Sequence, residues 1–221
     1  MNTLQIESLD QEGRGIARHD GKVIFVEGAL PGESVEIETY RKKPQYEQAV
    51  ATVIRNESAS RTVPGCTYFG LCGGCSLQHM DVSTQVAAKQ RVLEDNLLHI
   101  GKVQPEQILP AIYGPAWGYR HRARLTVRHV FKKGGALVGF HEKRSRYVAD
   151  MTSCEVLPQR ISNLLPLLRG LIDSLSLCAR LPQIELAIAD NADVLVLRNL
   201  DALTADDEDK LRVFADLHRV V

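Results

Sequence analysis

The sequence predicts an α+β protein: a small closed β-barrel over residues 1–57 and an α/β central domain over residues 58–221. Three observations carry this. Five short runs of alternating apolar and polar residues, separated by turns containing Gly or Pro, fall within residues 1–57, the spacing of an all-β unit. A loop with three cysteines then precedes an apolar period of helical type over residues 83–100. From residue 119 onward, strand-like and helix-like segments alternate.

In the first region, Leu4 and Ile6 alternate with polar neighbours, and GIARH and KVIFVEG flank Asp20-Gly21, a hairpin signal. Pro31-Gly32 marks the next turn. Val35, Ile37 and Thr39 alternate, and AVATVIR follows the basic loop RKKPQY. Strands this short and this closely spaced fit a barrel of the OB type, with Gly13-Arg14-Gly15 as one of its turns. In the helix over 83–100, Val86, Leu93, Leu97 and Ile100 share a face, Ser83 is placed to N-cap and Gly101 to sit at C′. PEQILPAIYGPAWG is a linker. YRHRARLTVRHVF reads as a strand, KKGG as a turn and ALVGFHEKRSRYVAD as the returning strand. ISNLLPLLRGLIDSLSL is helix-like and interrupted by Pro166. IELAIADNADVLVLRNL forms a hairpin around Asp190-Asn191. Thr204 and Asp207 make a capping box for a last helix whose inner face is Leu211, Phe214 and Leu217. Val220-Val221 read as the start of a strand that has been cut, and the chain therefore as a fragment.

Of the 221 residues, 44% are apolar and 24% charged, the balance of a globular protein and not of a disordered, collagenous or coiled-coil chain. No apolar run reaches 18 residues, so no transmembrane helix is expected. MNTLQIESLDQEG lacks the basic start and apolar stretch of a secretory signal. A cytoplasmic monomer with no membrane partner is the expectation.

The net charge is zero, but residues 114–150 carry nine Lys or Arg against two acids, with three His besides. Such local asymmetry points to an anionic partner. Arg120, Arg122, Arg124, Thr126 and Arg128 fall on one strand face by period two. Lys132, Lys133, Lys143, Arg144 and Arg146 extend the field. Trp117, Tyr119, Phe140, His141 and Tyr147 are interleaved, as aromatics that stack on unpaired bases would be.

Five cysteines in a chain without a visible secretion signal make a poor disulfide framework. Cys66, Cys72 and Cys75 form C-x5-C-x2-C, with Gly70, Gly73 and Gly74 to allow tight turns. Cys154, among polar neighbours, is the candidate fourth ligand. Cys178, in an apolar helical pattern, reads as an inert buried thiol. Spacing alone leaves zinc and an iron–sulfur cluster equally open, with a redox dithiol on the C-x2-C pair or coincidental thiols as the remaining readings. No nucleophile–base pair, HExxH motif or Walker loop appears.

GRGIARHDGKVIFVEGALPGESVEIE is similar to the TRAM domain, a small RNA-binding barrel. CTYFGLCGGCSLQHM, GYRHRARLTVR, GFHEKRSRYVAD and SCEVL, in this order, resemble the bacterial RNA (uracil-5-)-methyltransferases of the type that modifies 23S ribosomal RNA. The resemblance implies a [4Fe–4S] cluster on Cys66, Cys72, Cys75 and Cys154, S-adenosylmethionine as methyl donor and 23S rRNA as partner. Independently of the resemblance, the basic segment is expected to contact RNA through Arg120, Arg122, Arg124, Arg128, Lys132, Lys143, Arg144 and Arg146. In the family a Cys thiolate adds to uracil C6, C5 is methylated and a base removes the C5 proton. The family places that chemistry in a C-terminal Rossmann-like methyltransferase domain. This domain is expected to be absent from the chain, which is then inactive alone and has no catalytic residue to assign. The alternative is a non-catalytic RNA-binding module with a structural metal site of four cysteines.

Overall fold

The computed structural model describes residues 3–221 and divides them into two compact units. The first runs to Phe69 and takes in Cys75–Tyr113; the second is Gly70–Gly74 with Gly114–Val221. The expected boundary at residues 57/58 falls inside the first.

The first unit holds six strands: β1 (Leu4–Gln5), β2 (Ser8–Leu9), β3 (Gly15–His19), β4 (Lys22–Glu27), β5 (Ser34–Lys42) and β6 (Tyr46–Asn56), in the order β1-β5-β6-β4-β3-β2. The two outer strands, β1 and β2, are neighbours in the chain. Between them Ile6 N–H donates to Glu33 O at 2.9 Å and Glu7 N–H to Ile16 O at 2.8 Å. One short segment thus pairs with β5 towards one end of the sheet and β3 towards the other, and brings the two ends together. Asp20 and Gly21 take φ of 48° and 74°, as the hairpin signal requires. The interior is Leu4, Ile6, Ala17, Ile24, Val26, Ala29, Val35 and Ala49.

Gly15 is where the barrel has no room. A Cβ there would lie 2.8 Å from Ile6 Cγ2 and 3.1 Å from Ala29 O. Gly15→Ala is expected to destabilise by roughly 1–3 kcal/mol through overpacking, read as a lower urea midpoint with an unchanged m-value.

Helix α1 (Val82–His99) follows in the same unit. Its N-cap is Asp81, not Ser83: the Asp81 carboxylate accepts from Thr84 N–H at 3.0 Å. The hydrogen bonds on that carboxylate, the Ser83 hydroxyl's foremost and then those from Thr84, hold the Asp81 pKa down at about 2. No residue of α1 is buried, and Ile100, expected on the inner face, is 77% exposed.

The second unit is built on β7 (Arg122–Val130), β8 (Gly135–Gly139), β9 (Gln183–Ile188) and β10 (Asp193–Arg198), ordered β10-β9-β7-β8. Every pairing is antiparallel. The expected α/β architecture is therefore corrected: this is α+β packing, a sheet whose inner face carries Leu125, Val127, Val138, Ile184 and Leu186. Helix α2 (Gln159–Ser162) leads into α3 (Leu164–Ser174), whose Leu164, Leu165, Leu168 and Ile172 are buried. Pro166 does not interrupt this helix. It sits in the first turn of α3, where an N–H has no intrahelical partner to lose. The return strand ends at Gly139; residues beyond it turn, with isolated bridges from His141 to Val148 and from Glu142 to Cys72.

Helix α4 (Ala205–His218) has the expected capping box. Asp207 is buried, and accepts from the Ser176 hydroxyl at 2.6 Å, Ser176 N–H at 2.8 Å and the Thr204 hydroxyl at 2.7 Å. These bonds, Ser176's first, hold its carboxyl far below the usual range. Leu217, expected inward, is 73% exposed. Val221 is seated on β10, donating to Asp193 O at 2.8 Å and accepting from Leu195 N–H at 2.7 Å. Among the described residues no helix is long and apolar enough to cross a membrane.

Candidate nucleic-acid interface and cysteine loop

Strand β7 sorts its side chains as period two demands. Leu125 and Val127 are buried, whereas Arg122, Arg124 and Arg128 are exposed on the other face with Thr126 between them. Three guanidinium groups at alternate positions of one strand span about 20 Å, a length matched to a run of phosphates. The neighbours are not equivalent. Arg124 lies opposite Glu185 of β9, while Arg122 lies opposite Ala187. Glu185 accepts from Arg198 at 3.1 Å. That bond chiefly, with the Arg198 and Arg124 charges, keeps the Glu185 carboxyl below its ordinary pKa.

Arg120 leaves the row. Its guanidinium donates to Gly74 O at 3.2 Å and lies 5.2 Å from the centre of the Phe140 ring. It braces the cysteine loop instead of facing outward, and Phe140 is used up as its platform. Lys132 is exposed in the turn after β7. Lys143, Arg144 and Arg146 lie on the turn between His141 and Val148, where Arg144 takes φ of 58°. His141 Nε2 is 3.2 Å from the Thr126 hydroxyl, which ties this turn to the row.

The turn is also tied to residues 70–74. Gly73 N–H donates to His141 O at 2.8 Å and Lys143 N–H to Leu71 O at 2.7 Å, with Cys72 bridged to Glu142. Of the three glycines expected to supply positive φ, only Gly70 does, at 93°. Gly73 serves by its bareness: a Cβ there would lie 3.1 Å from His141 O.

None of the five cysteines forms a disulfide among the described residues, and Cys72 and Cys154 are buried. Cys72 Sγ accepts from Gly74 N–H at 3.4 Å, and Cys154 N–H donates to the Ser162 hydroxyl at 2.8 Å. Cys66 and Cys75 belong to the first unit, Cys72 and Cys154 to the second. As soft donors the four suit iron–sulfur ligation. Among the described residues, however, no group of three or more His, Cys, Asp or Glu is gathered to hold a metal ion. Cys178 is half-buried in a short 3-10 turn, Cys178–Arg180, and not on the apolar helix the pattern implied.

Residues 3–51 match the TRAM domain family. The chain is 63% identical over 215 residues to the 23S rRNA (uracil(1939)-C(5))-methyltransferase RlmD of Nitrosospira multiformis, covering 97% of this chain and 49% of that protein. It is 60% identical to RlmD of Burkholderia cenocepacia over 98% of this chain and 48% of that protein. The chain thus spans about half the length of the curated relatives it matches. Its fold is similar to that of the Pyrococcus abyssi tRNA (uracil-54, C5)-methyltransferase solved with S-adenosyl-L-homocysteine, with a TM-score of 0.65, 20% identity, and coverage of 94% of this chain and 48% of that one. These matches correct the expected fold class once more. A chain that aligns within such enzymes over 97% of its length, and superposes on one over 94%, is not to be classed apart from them as a fold lacking their methyltransferase domain. Nor do they support the expectation that the chain is inactive alone.

Proposed function

We propose that the chain belongs, over the half of their length that it spans, with the RNA (uracil-5-)-methyltransferases of the RlmD type, and that its protein transfers a methyl group from S-adenosylmethionine to C5 of a uridine in 23S rRNA. The identity of 63% across 97% of the chain carries this reading. The described residues contribute RNA binding: the TRAM barrel, the β7 arginines Arg122, Arg124 and Arg128, and the turn with Lys143, Arg144 and Arg146. Arginine forks suit phosphate because they donate two parallel bonds without losing their charge. The proposal includes a [4Fe–4S] cluster on Cys66, Cys72, Cys75 and Cys154, supported by the thiol spacing and by the burial of Cys72 and Cys154. Such a cluster would act as a structural staple for the cysteine loop and the turn hydrogen-bonded to it. A cytoplasmic monomer completes the reading.

The test is methyl transfer from labelled S-adenosylmethionine to unmodified 23S rRNA, using this chain and the whole product of its reading frame, followed by digestion to nucleosides. Label in 5-methyluridine is expected. RNA binding with no label from either protein would overturn the enzyme and leave the binding module. For the cluster, anaerobically purified protein is expected to hold about four irons per chain. Cys154→Ser should lower that content and Cys178→Ser leave it unchanged; stoichiometric zinc without iron would overturn the assignment.

A further inference from the structure

The turn joining β7 to β8 carries an aromatic residue that the interleaved set named from the sequence left out. Phe131 is 88% exposed, and Lys132 and Lys133, which follow it in the same short 3-10 turn, are exposed as well. Water is a poor environment for a bare phenyl ring. Here the ring is also held in place: His129 lies against it edge to face, 4.7 Å between centroids at 76°. His129 is itself largely buried, its Nε2 3.6 Å from the Asp173 carboxylate of α3. The same carboxylate accepts from Ala136 N–H at 2.7 Å, and Arg169 donates to Ala136 O at 2.8 Å. The base of the hairpin is therefore pinned to α3 on both strands, while its tip stands in solvent.

We propose that Phe131 is a stacking platform for an unpaired base of the bound RNA, with Lys132 and Lys133 holding the phosphates beside that base. The inference rests on the RNA-binding reading above and adds to it a residue that reads base surface and not charge. Three features favour RNA. The tip ends the strand that bears Arg122, Arg124 and Arg128, three residues beyond Arg128, although the ring leans on His129, on the α3 side of the sheet and not on the face of the row. A cation beside an exposed ring, Lys132, with a second, Lys133, that also stands 3.4 Å from the Asp150 carboxylate, matches a nucleotide, whose base is flat and apolar and whose phosphate is anionic. And a ring fixed beforehand by His129 loses little freedom on binding. Stacking accepts any base, so the platform supplies affinity for unpaired RNA and no sequence preference of its own.

The experiment measures binding of a labelled single-stranded RNA and of the same sequence as a duplex, by wild type, Phe131→Ala and Phe131→Trp, each across a salt series. Phe131→Ala should weaken single-strand binding about ten-fold, leave duplex binding unchanged and leave the salt slope unchanged, because no phosphate contact is lost. Phe131→Trp should restore affinity, and added RNA should quench fluorescence beyond the quenching seen with Trp117 alone. Equal affinity of wild type and Phe131→Ala for the single strand would overturn the platform and leave the RNA reading intact, as would loss of anionic-vesicle binding in Phe131→Ala without loss of RNA affinity. Failure of wild type to bind either RNA would overturn both.

Discussion

Arg61→Ala is expected to cost the barrel unit about 3–5 kcal/mol, the penalty for stranding a buried charge. The charge is that of Glu33, whose side chain has no exposed surface. Arg61 Nε donates to one Glu33 oxygen at 2.5 Å and Arg61 Nη2 to the other at 2.7 Å. The same nitrogen donates to Gly28 O at 2.8 Å. Leu30 N–H and Ser58 N–H complete the carboxylate's shell at 2.8 and 3.1 Å. Burial alone would raise the Glu33 pKa, but the Arg61 bond and the two N–H groups outweigh it, so it lies below its ordinary value of 4.5. A lowered folded pKa means the pair stabilises above about pH 4.5 and that this contribution is lost as pH falls through the folded value. Glu33→Gln should remove that part of the acid dependence. Replacing both residues with apolar ones of similar size should recover much of the loss, since no unpaired ion remains. Urea midpoints at pH 7 and pH 4 for the two single variants and the double variant test this. A cost to Arg61→Ala no larger than that of an exposed pair such as Arg91 with Asp95 would show that the burial contributes nothing.

Five of the barrel's six strands are legible because each carries its own period, with Gly or Pro in the turns between them, so local signals coincide with the final pairing; β2, only Ser8–Leu9, is too short to carry one. The Glu33–Arg61 pair is not legible, because the partners lie 28 positions apart in the sequence and only the closed barrel brings them together. Where two neighbouring residues compete for one role, the pattern chose wrongly: Ser83 and Asp81 both suit an N-cap, and the ionised carboxylate takes the Thr84 N–H. Pro166 reads as a break in the sequence because the pattern does not say where a helix begins; with the start at Leu164 the same proline is harmless. Arg120 shares the parity of Arg122 and Arg124 but lies before β7 starts, so period two had no sheet to act on and the side chain turned to Gly74 O. Within β7 itself the row of Arg122, Arg124 and Arg128 is legible in the period of two. Its selection of targets is not, since the acid opposite Arg124 comes from β9, 61 residues away. Phe131, read as the end of a strand, resembles an ordinary core residue; only its place in the turn exposes it.

Arg122→Ala with Arg124→Ala is expected to flatten the salt dependence of RNA binding and to weaken binding most at low salt. Each phosphate contact contributes about 0.7–0.9 to the slope of log K against log salt. Losing two should reduce the slope by about 1.4–1.8, and each should cost roughly five- to eight-fold in affinity at 0.1 M salt relative to 1 M. The two positions should differ. Glu185 stands across from Arg124 and partly neutralises it, while Arg122 faces only Ala187. Arg122 therefore presents the less compensated charge, and its single replacement should move the slope further than that of Arg124. Glu185→Gln should act in the opposite sense: it frees both Arg124 and Arg198, which donates to that carboxylate, and so should tighten binding and steepen the slope. Because Arg122 and Arg124 point away from the core, their replacement should leave thermal stability nearly unchanged, which separates a lost contact from a lost fold. A double variant that binds RNA with the parent's affinity and slope would show that the row meets only solvent.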